Sequence, residues 1–172
     1  ITKAVTGLAY ASMVKEGKVS PKSTLGEVLP GIDKNAPAAK ITLEKLASHS
    51  SGLPRLPNDL LEKSPDIDPY SKYTREHIIA NLNRLDDIKV EGASFEYSNF
   101  GAGVLSLALV AQSGKPSLES LLKERVFDPL EMTETSFKRP LHTTGHNEGL
   151  EPVPAWNFDA LAGAGAIRSS PE

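Results

Sequence analysis

The sequence contains no cysteine, and this absence removes several kinds of chemistry at once. A disulfide framework, a thiol nucleophile and a thiolate metal site are all excluded, while either redox compartment stays open. Long apolar runs are missing too, because the longest such stretch, residues 102–111, is about half the length of a bilayer-spanning helix. The sequence therefore predicts no transmembrane segment among these residues.

Basic charge is also scarce. The chain has 19 Lys and Arg against 22 Asp and Glu, and the basic residues are scattered rather than gathered on one face. Nucleic-acid affinity depends mainly on phosphate contacts from clustered basic residues, so a nucleic-acid partner is excluded. With 172 residues, 39 % of them hydrophobic, the chain can bury a core and fits one domain or a large part of one.

Apolar spacing and turn residues predict a series of helices separated by Gly and Pro. Helices are expected over residues 1–16, 24–29, 43–49, 74–82, 100–111 and 118–126. Residues 52–73 carry four prolines and little periodicity, which indicates a long ordered surface excursion of the kind that is often functional. Residues 161–170 are rich in Gly and Ala and are expected to form a small-residue strand, followed by a helix start at residues 169–172.

Residues 92–101 present a phenol, a hydroxyl and an amide where a loop meets the apolar helix. Ser98 or Asn99 can cap that helix, and Tyr97 lies in the extended residues just before it. Gly101 and Gly103 would let the helix approach a neighbour closely. A plain helix cap beside an incidental aromatic would explain the same residues, so this stretch does not establish a site by itself.

Lys3 lies in the first turn of the first helix, where it is either a solvated lysine or part of an active site. The opening Ile-Thr-Lys is what remains of Ser-x-x-Lys if a serine precedes Ile1. In that pattern the two side chains lie on one helix face, one turn apart, and the lysine can draw off the hydroxyl proton.

Five stretches resemble motifs of the class C β-lactamases and their relatives among serine D-alanyl-D-alanine carboxypeptidases, D-aminopeptidases and carboxylesterases. Residues 1–6 resemble the Ser-x-x-Lys helix without its serine, residues 49–54 the His-Thr-Ser-Gly-Leu loop, and residues 97–99 the Tyr-x-Asn motif. Residues 127–135 are similar to Pro-Leu-Gly-Met-x-x-Thr, and residues 163–172 to Gly-Gly-x-x-Ser-x-x-Asp. Each match is weak alone, but five in this order are specific.

The resemblance implies an α/β (α+β) fold of the β-lactamase/transpeptidase type, in which helices flank an antiparallel sheet and these residues form mainly the helical region. Residues 1–172 would be part of one catalytic domain, truncated at both ends. The nucleophilic serine would lie just before Ile1, and the third motif, Lys-Thr-Gly or His-x-Gly, beyond residue 172. A periplasmic or secreted location is implied, with no cofactor and no metal.

The resemblance also assigns roles to four residues. The serine would be acylated, Lys3 would assist its deprotonation, and Tyr97 would pass protons to the leaving group and help to activate the deacylating water. Asn99 would bind the acyl side chain of a β-lactam, D-Ala-D-Ala peptide or ester substrate, and Leu53 would rim the cleft. Because the oxyanion hole needs the serine and the distant strand, the remainder of the chain is expected to be necessary for activity.

Several alternatives stay open at this point. The serine is either present in the parent protein or lost from it, and its loss would leave a binding or regulatory relative without catalysis. A short-chain carboxylesterase would share every visible motif, and a purely structural helical module would need none of them. Trp156 is either a packing residue or a cleft wall.

The histidines are assigned simpler roles. His142 and His146 are four residues apart, but a metal pair at that spacing needs a helix, and Gly145 in a Thr-rich turn argues against one. The likeness of residues 142–145 to the third motif is interpreted as a coincidence, since no strand pattern surrounds it. His49 and His77 are interpreted as helix-end residues.

Overall fold

Helices make up most of the regular secondary structure in this computed structural model, which describes residues 1–63, 67–138 and 143–170. The helices are α1 (Thr2–Lys15), α2 (Leu25–Val28), α3 (Leu43–Ala47), α4 (Leu60–Lys63), α5 (Arg75–Arg84), α6 (Asn99–Ser113), α7 (Leu118–Leu122) and α8 (Ala162–Gly165). A 3₁₀ turn occupies Pro37–Lys40, and α7 continues as a π-helical turn over Lys123–Phe127. The strands β1 (Gly145–His146) and β2 (Pro152–Val153) pair antiparallel.

Side-chain caps fix where several helices begin, as their sequences predict. The hydroxyl oxygens of Thr42, Ser98 and Ser117 each accept a hydrogen bond from the backbone N–H three residues further along, at the starts of α3, α6 and α7. Helix α6 ends at Gly114, whose φ of 70° is in the left-handed region that glycine adopts without strain. The predicted helices over these segments are confirmed.

Helix α6 is at the centre of the helical core. It is apolar around most of its circumference, and Phe100, Val104, Ala108 and Leu109 are fully buried. Helices α1, α2, α3, α7 and α8 all contact it. A helix that is apolar all round is stable in water only when its neighbours cover it, and this covering fixes α1 and α8 close to the start of α6.

The strand expected over residues 161–170 was wrong, because this segment begins with the short helix α8. The N–H of Ala164 donates to the carbonyl of Leu161 at 2.8 Å, which is helical rather than extended pairing. Small side chains permit both conformations, and contact with α6 decides between them. Further along, Arg168 forms an isolated β-bridge with Ser136.

Two glycines set how closely α6 and α8 approach. A Cβ at Gly163 would lie 2.5 Å from the backbone oxygen of Ala102 and 2.7 Å from the Cβ of Ser106. A Cβ at Gly103 would lie 2.4 Å from a methyl carbon of Leu161 and 3.2 Å from its Cα. The expectation that Gly103 allows a close helix contact is confirmed, and Gly163 does the same from the opposite helix.

Gly163→Ala is therefore expected to destabilise the protein by about 3 kcal/mol, because a backbone oxygen cannot move aside as a flexible side chain can. Gly7→Ala is the matched control, since Gly7 is also helical and has no atom within 4 Å of its would-be Cβ. That change should instead stabilise by about 0.5–1 kcal/mol through helix propensity. Thermal or denaturant unfolding measures both, and equal midpoints for the two variants would contradict the close approach.

Some predicted features fall outside the described part of the chain. His142, with the start of the 142–145 likeness, and the last two residues of the expected helix start at 169–172 lie outside it. Within the described ranges, no group of three His, Asp or Glu side chains is arranged to hold a metal ion. In the same ranges, every helix is too short or too polar to cross a bilayer.

Candidate active site

The Lys3 ammonium is held at a defined point between three elements. Its Nζ donates a 2.7 Å hydrogen bond to the backbone oxygen of Ala164 in α8. The same nitrogen lies 4.9 Å from the centroid of the Tyr97 ring, just before α6. Lys3 and Tyr97, which sequence reasoning paired although they are far apart in the chain, are therefore neighbours at the junction of α1, α6 and α8.

The backbone that presents Tyr97 is tied to the loop after α3. The hydroxyl of Ser98 donates to the carbonyl of Pro54 at 2.6 Å, in addition to capping α6. The N–H of Asn99 donates to the carbonyl of Arg55 at 3.0 Å. These bonds fix the first turn of α6 on the loop at residues 54 and 55, so the Tyr97 side chain projects from a rigid base and remains 41 % exposed.

Two cations face the Tyr97 ring. The guanidinium carbon of Arg55 lies 5.4 Å from the ring centroid, on the same scale as the Lys3 nitrogen. Contacts of this kind are favourable because the electron-rich face of an aromatic ring attracts positive charge. They also give the site a local positive potential, which favours any anion that forms there.

Asn99 is the first residue of α6, and its side chain lies close enough to Tyr70 to favour the ionised form of that phenol. Tyr70 is 4 % exposed, and burial raises the pKa of its phenol. Its ring stacks on Phe158 at 4.6 Å and lies 5.2 Å from the ring of Trp156. Sequence reasoning missed Tyr70, for which its place in the proline-rich excursion was a weak signal.

A cavity of about 900 Å³ opens at Trp156 and Phe158, and Lys3, Tyr97 and Asn99 are not among the residues that line it. Its walls are mostly apolar and include Ile1, Ile67, Val153, Trp156, Phe158 and Ile167. Gly165, the neighbour of the Ala164 that binds Lys3, also lines it. The volume is within the usual range for a small-molecule site, and Trp156 is thus a cavity wall as well as a packing residue.

The aromatic wall is fixed by the Asp68 carboxylate and by Arg168. The backbone N–H of Asn157 donates to both oxygens of Asp68 at 3.0 Å, and the Asn157 amide nitrogen donates to one of them at 2.8 Å. From the other side, the Arg168 guanidinium donates to the carbonyl of Trp156 at 3.2 Å and to the side-chain oxygen of Asn157 at 3.1 Å. These hydrogen bonds hold the aromatic wall in place.

Leu53, expected at the rim of the cleft, is 1 % exposed and belongs to the core. Gly52 adopts a φ of 75°, and a Cβ there would lie 2.7 Å from the carbonyl of Lys89. This tight left-handed turn directs Leu53 inward, which explains why it does not line the cavity. The exposed residue of the loop that faces the site is Arg55.

The family model described as Beta-lactamase matches residues 1–172. The chain is 28 % identical over 171 residues to Protein flp of Staphylococcus aureus (strain N315), covering 88 % of this chain and 31 % of that protein. It is 29 % identical over 146 residues to the D-alanyl-D-alanine-carboxypeptidase/endopeptidase AmpH of Escherichia coli (strain K12), covering 80 % of this chain and 35 % of AmpH.

A solved structure shares the fold. The Beta-lactamase/D-alanine Carboxypeptidase from Yersinia pestis, complexed with citrate, superposes with a TM-score of 0.76 at 27 % identity, covering 100 % of this chain and 49 % of that one. The predicted β-lactamase-type fold, with these residues mostly in its helical region, is thereby confirmed. The chain spans about a third of the length of the two curated relatives. On the family match over its whole length, the chain belongs to the β-lactamase family.

Proposed function

We propose that the full-length protein is a serine hydrolase that works through an acyl-enzyme, with its nucleophile at the residue immediately before Ile1. One observation carries this proposal: Lys3 Nζ lies 4.9 Å from the Tyr97 ring centroid and is held there by the Ala164 carbonyl. A serine three positions before Lys3 would lie one helical turn away on the same face, beside the cavity that Ile1 lines.

In the proposed reaction the serine hydroxyl attacks the substrate carbonyl while Lys3, in its unprotonated form, takes the hydroxyl proton. Tyr97 then delivers a proton to the leaving nitrogen or oxygen as its bond to the carbonyl carbon breaks. In the second half, Tyr97 takes a proton from the attacking water, and Lys3 returns to the serine oxygen the proton that it took in the first half, as the acid product leaves. The oxyanion would be bound by N–H groups of the serine and of a strand beyond residue 172.

The substrate class rests on the arrangement of Asn99 and the cavity. The Asn99 amide lies near Tyr70 and offers a donor and an acceptor to an acyl side chain, and the apolar walls of the cavity would take the hydrocarbon part of that side chain. β-Lactams, D-Ala-D-Ala peptides and short esters all meet this description. The likeness to AmpH and to the Yersinia pestis protein supports the first two, and a periplasmic or secreted location would suit them.

Acylation is tested by intact mass after incubation with a penicillin or a phosphonate ester. We expect the mass to rise by one adduct, and peptide mapping to place that adduct on the residue before Ile1. The control replaces that residue with alanine and should show no adduct. If the unmodified protein also shows none, the nucleophilic-serine proposal fails and the protein is better described as a non-acylating relative.

The substrate is then identified by parallel assays with a chromogenic cephalosporin, a short-chain p-nitrophenyl ester and a D-Ala-D-Ala peptide. The ratio of kcat/KM values ranks the three, because that ratio measures how well each transition state is bound. Preference for the ester alone would make the protein a carboxylesterase.

A further inference from the structure

His49 contacts Tyr97 and both of its neighbours in the chain. The carbonyl of His49 accepts the N–H of Glu96 at 2.8 Å, and its Nδ1 accepts the N–H of Ser98 at 3.3 Å. Between these two bonds, the imidazole lies against the Tyr97 ring with 4.9 Å between centroids. One residue therefore binds the backbone before Tyr97, the backbone after it and the side chain itself.

The backbone of His49 is in an uncommon conformation that this contact requires. Its φ of 56° is in the left-handed region, which residues other than glycine rarely adopt, although His is enriched among the exceptions. The turn follows α3 and points the ring back toward the residues before α6. Unusual backbone of this kind persists when several surrounding contacts hold it, and it concentrates at functional sites.

The charge state of the imidazole follows from its surroundings. Burial and, to a smaller extent, the positive charge of Lys3 from α1 hold the pKa of His49 below its ordinary value of 6.5. The Arg55 guanidinium lies near the Tyr97 ring, which His49 contacts. The His49 ring also makes an edge-to-face contact with the uncharged ring of Phe95. At neutral pH the imidazole is uncharged, and because Nδ1 accepts a hydrogen bond its proton is on Nε2.

We propose that His49 is a positioning residue for Tyr97, whose neutral imidazole holds the phenol beside Lys3 through the ring contact and the Nδ1 bond to Ser98. This inference rests on the serine-hydrolase function proposed above. Protonation of Nδ1 removes the acceptor and turns the ring into a cation beside Lys3. The Ser98 N–H loses its partner, and the backbone that aims Tyr97 is released on one side.

Two substitutions separate the acceptor from the ring. His49→Phe keeps an aromatic ring against Tyr97 but leaves the Ser98 N–H without its acceptor. Loss of such a bond and a small displacement of a reacting group typically cost 10- to 100-fold in rate, so kcat should fall by about that factor with KM changed less. His49→Asn loses the ring, keeps an acceptor oxygen at the Nδ1 position and tolerates the left-handed backbone.

The pH profile distinguishes positioning from a merely structural role. In the unmodified protein, kcat should fall on the acid side at a pH below 6.5, as the imidazole becomes protonated. His49→Asn has an acceptor that does not titrate, so the fall in kcat that begins below pH 6.5 should be absent from its profile. His49→Phe should also lack the limb, but at the lowered rate.

His77 provides a matched control away from the site. Its Nδ1 accepts the N–H of Thr74 at 3.2 Å, and its ring lies 5.3 Å from the ring of Tyr73, at nearly the same tilt as His49 makes with Tyr97. The prediction that His77 simply serves a helix end agrees with this place in the capping box of α5. His77→Phe and His77→Asn should change neither kcat nor the acid limb.

The assays use the full-length protein, with circular dichroism to confirm folding and acyl-adduct formation measured on the unmodified protein in parallel. Absence of any adduct would overturn the proposed function itself. If adducts form but His49→Phe turns over at the unmodified rate, the positioning role is refuted. The role is refuted equally if His49→Asn folds yet keeps the acid limb, since the limb would then belong to another group.

Discussion

Tyr97→Phe is expected to lower the turnover of the full-length protein by about 10²- to 10⁴-fold while the fold stays intact. The ring contacts with Lys3, Arg55 and His49 do not need the hydroxyl, so phenylalanine should occupy the same place. What disappears is the group that we propose moves protons to the leaving group and from water. Single-turnover kinetics would show whether acylation, deacylation or both are slowed.

Tyr10→Phe is the control for this substitution. Tyr10 lies in α1 and is partly buried against the core, and this burial raises the pKa of its phenol. Like Tyr97, it is therefore a tyrosine that is partly surrounded by protein. Its loss should leave turnover unchanged. Near-normal turnover of Tyr97→Phe would remove this residue from the mechanism, although its packing role would remain.

Lys3→Met is expected to reduce acylation by a similar 10²- to 10⁴-fold, because methionine has comparable length but neither a proton acceptor nor a charge. Lys3→Arg should be nearly as slow. Arginine restores the positive charge but does not give up its proton, so the pair of variants separates general-base action from electrostatic attraction. The rate of adduct formation with a penicillin or phosphonate ester measures the effect directly.

A second lysine shows how much of this loss comes from a broken hydrogen bond alone. Lys45 Nζ donates to the carbonyl of Val90 at 2.5 Å, as Lys3 does to Ala164. Lys45→Met and Lys3→Met should each lose about 1 kcal/mol of stability by leaving a carbonyl unpaired. If the two variants are also equally active, the only role of Lys3 is to stabilise α8 through its hydrogen bond to Ala164.

The parts of the fold that sequence reasoning predicts well are those determined within a few residues. Thr42 and Ser98 cap helices that begin beside them, and the apolar run of α6 indicates a buried helix without knowledge of what covers it. The pairing of Lys3 with Tyr97 came instead from the resemblance to a family. No spacing rule joins two residues that are so far apart in the chain.

The parts that could not be predicted depend on contacts between distant segments. Residues 161–170 have small side chains that suit a strand or a helix, and the choice is made by α6. The sequence around Leu53 does not indicate whether its side chain points outward or inward. The turn at Gly52 determines that it points inward. Tyr70 and His49 belong to the site only because Asn99 and Tyr97, which are distant from them in the chain, lie next to them in the fold.

The bond between Lys3 and Ala164 is made to a main-chain oxygen, so every amino acid at position 164 offers the same acceptor. The residues that must stay small are Gly103 and Gly163, because their lack of a side chain lets α8 pack against α6 and so sets how near the Ala164 oxygen comes to Lys3. A substitution at position 164 therefore leaves the acceptor in place, whereas a side chain at either glycine would force α6 and α8 apart and move that acceptor. The position of the Lys3 ammonium is therefore set by the spacing between α6 and α8, and not by which amino acid occupies position 164.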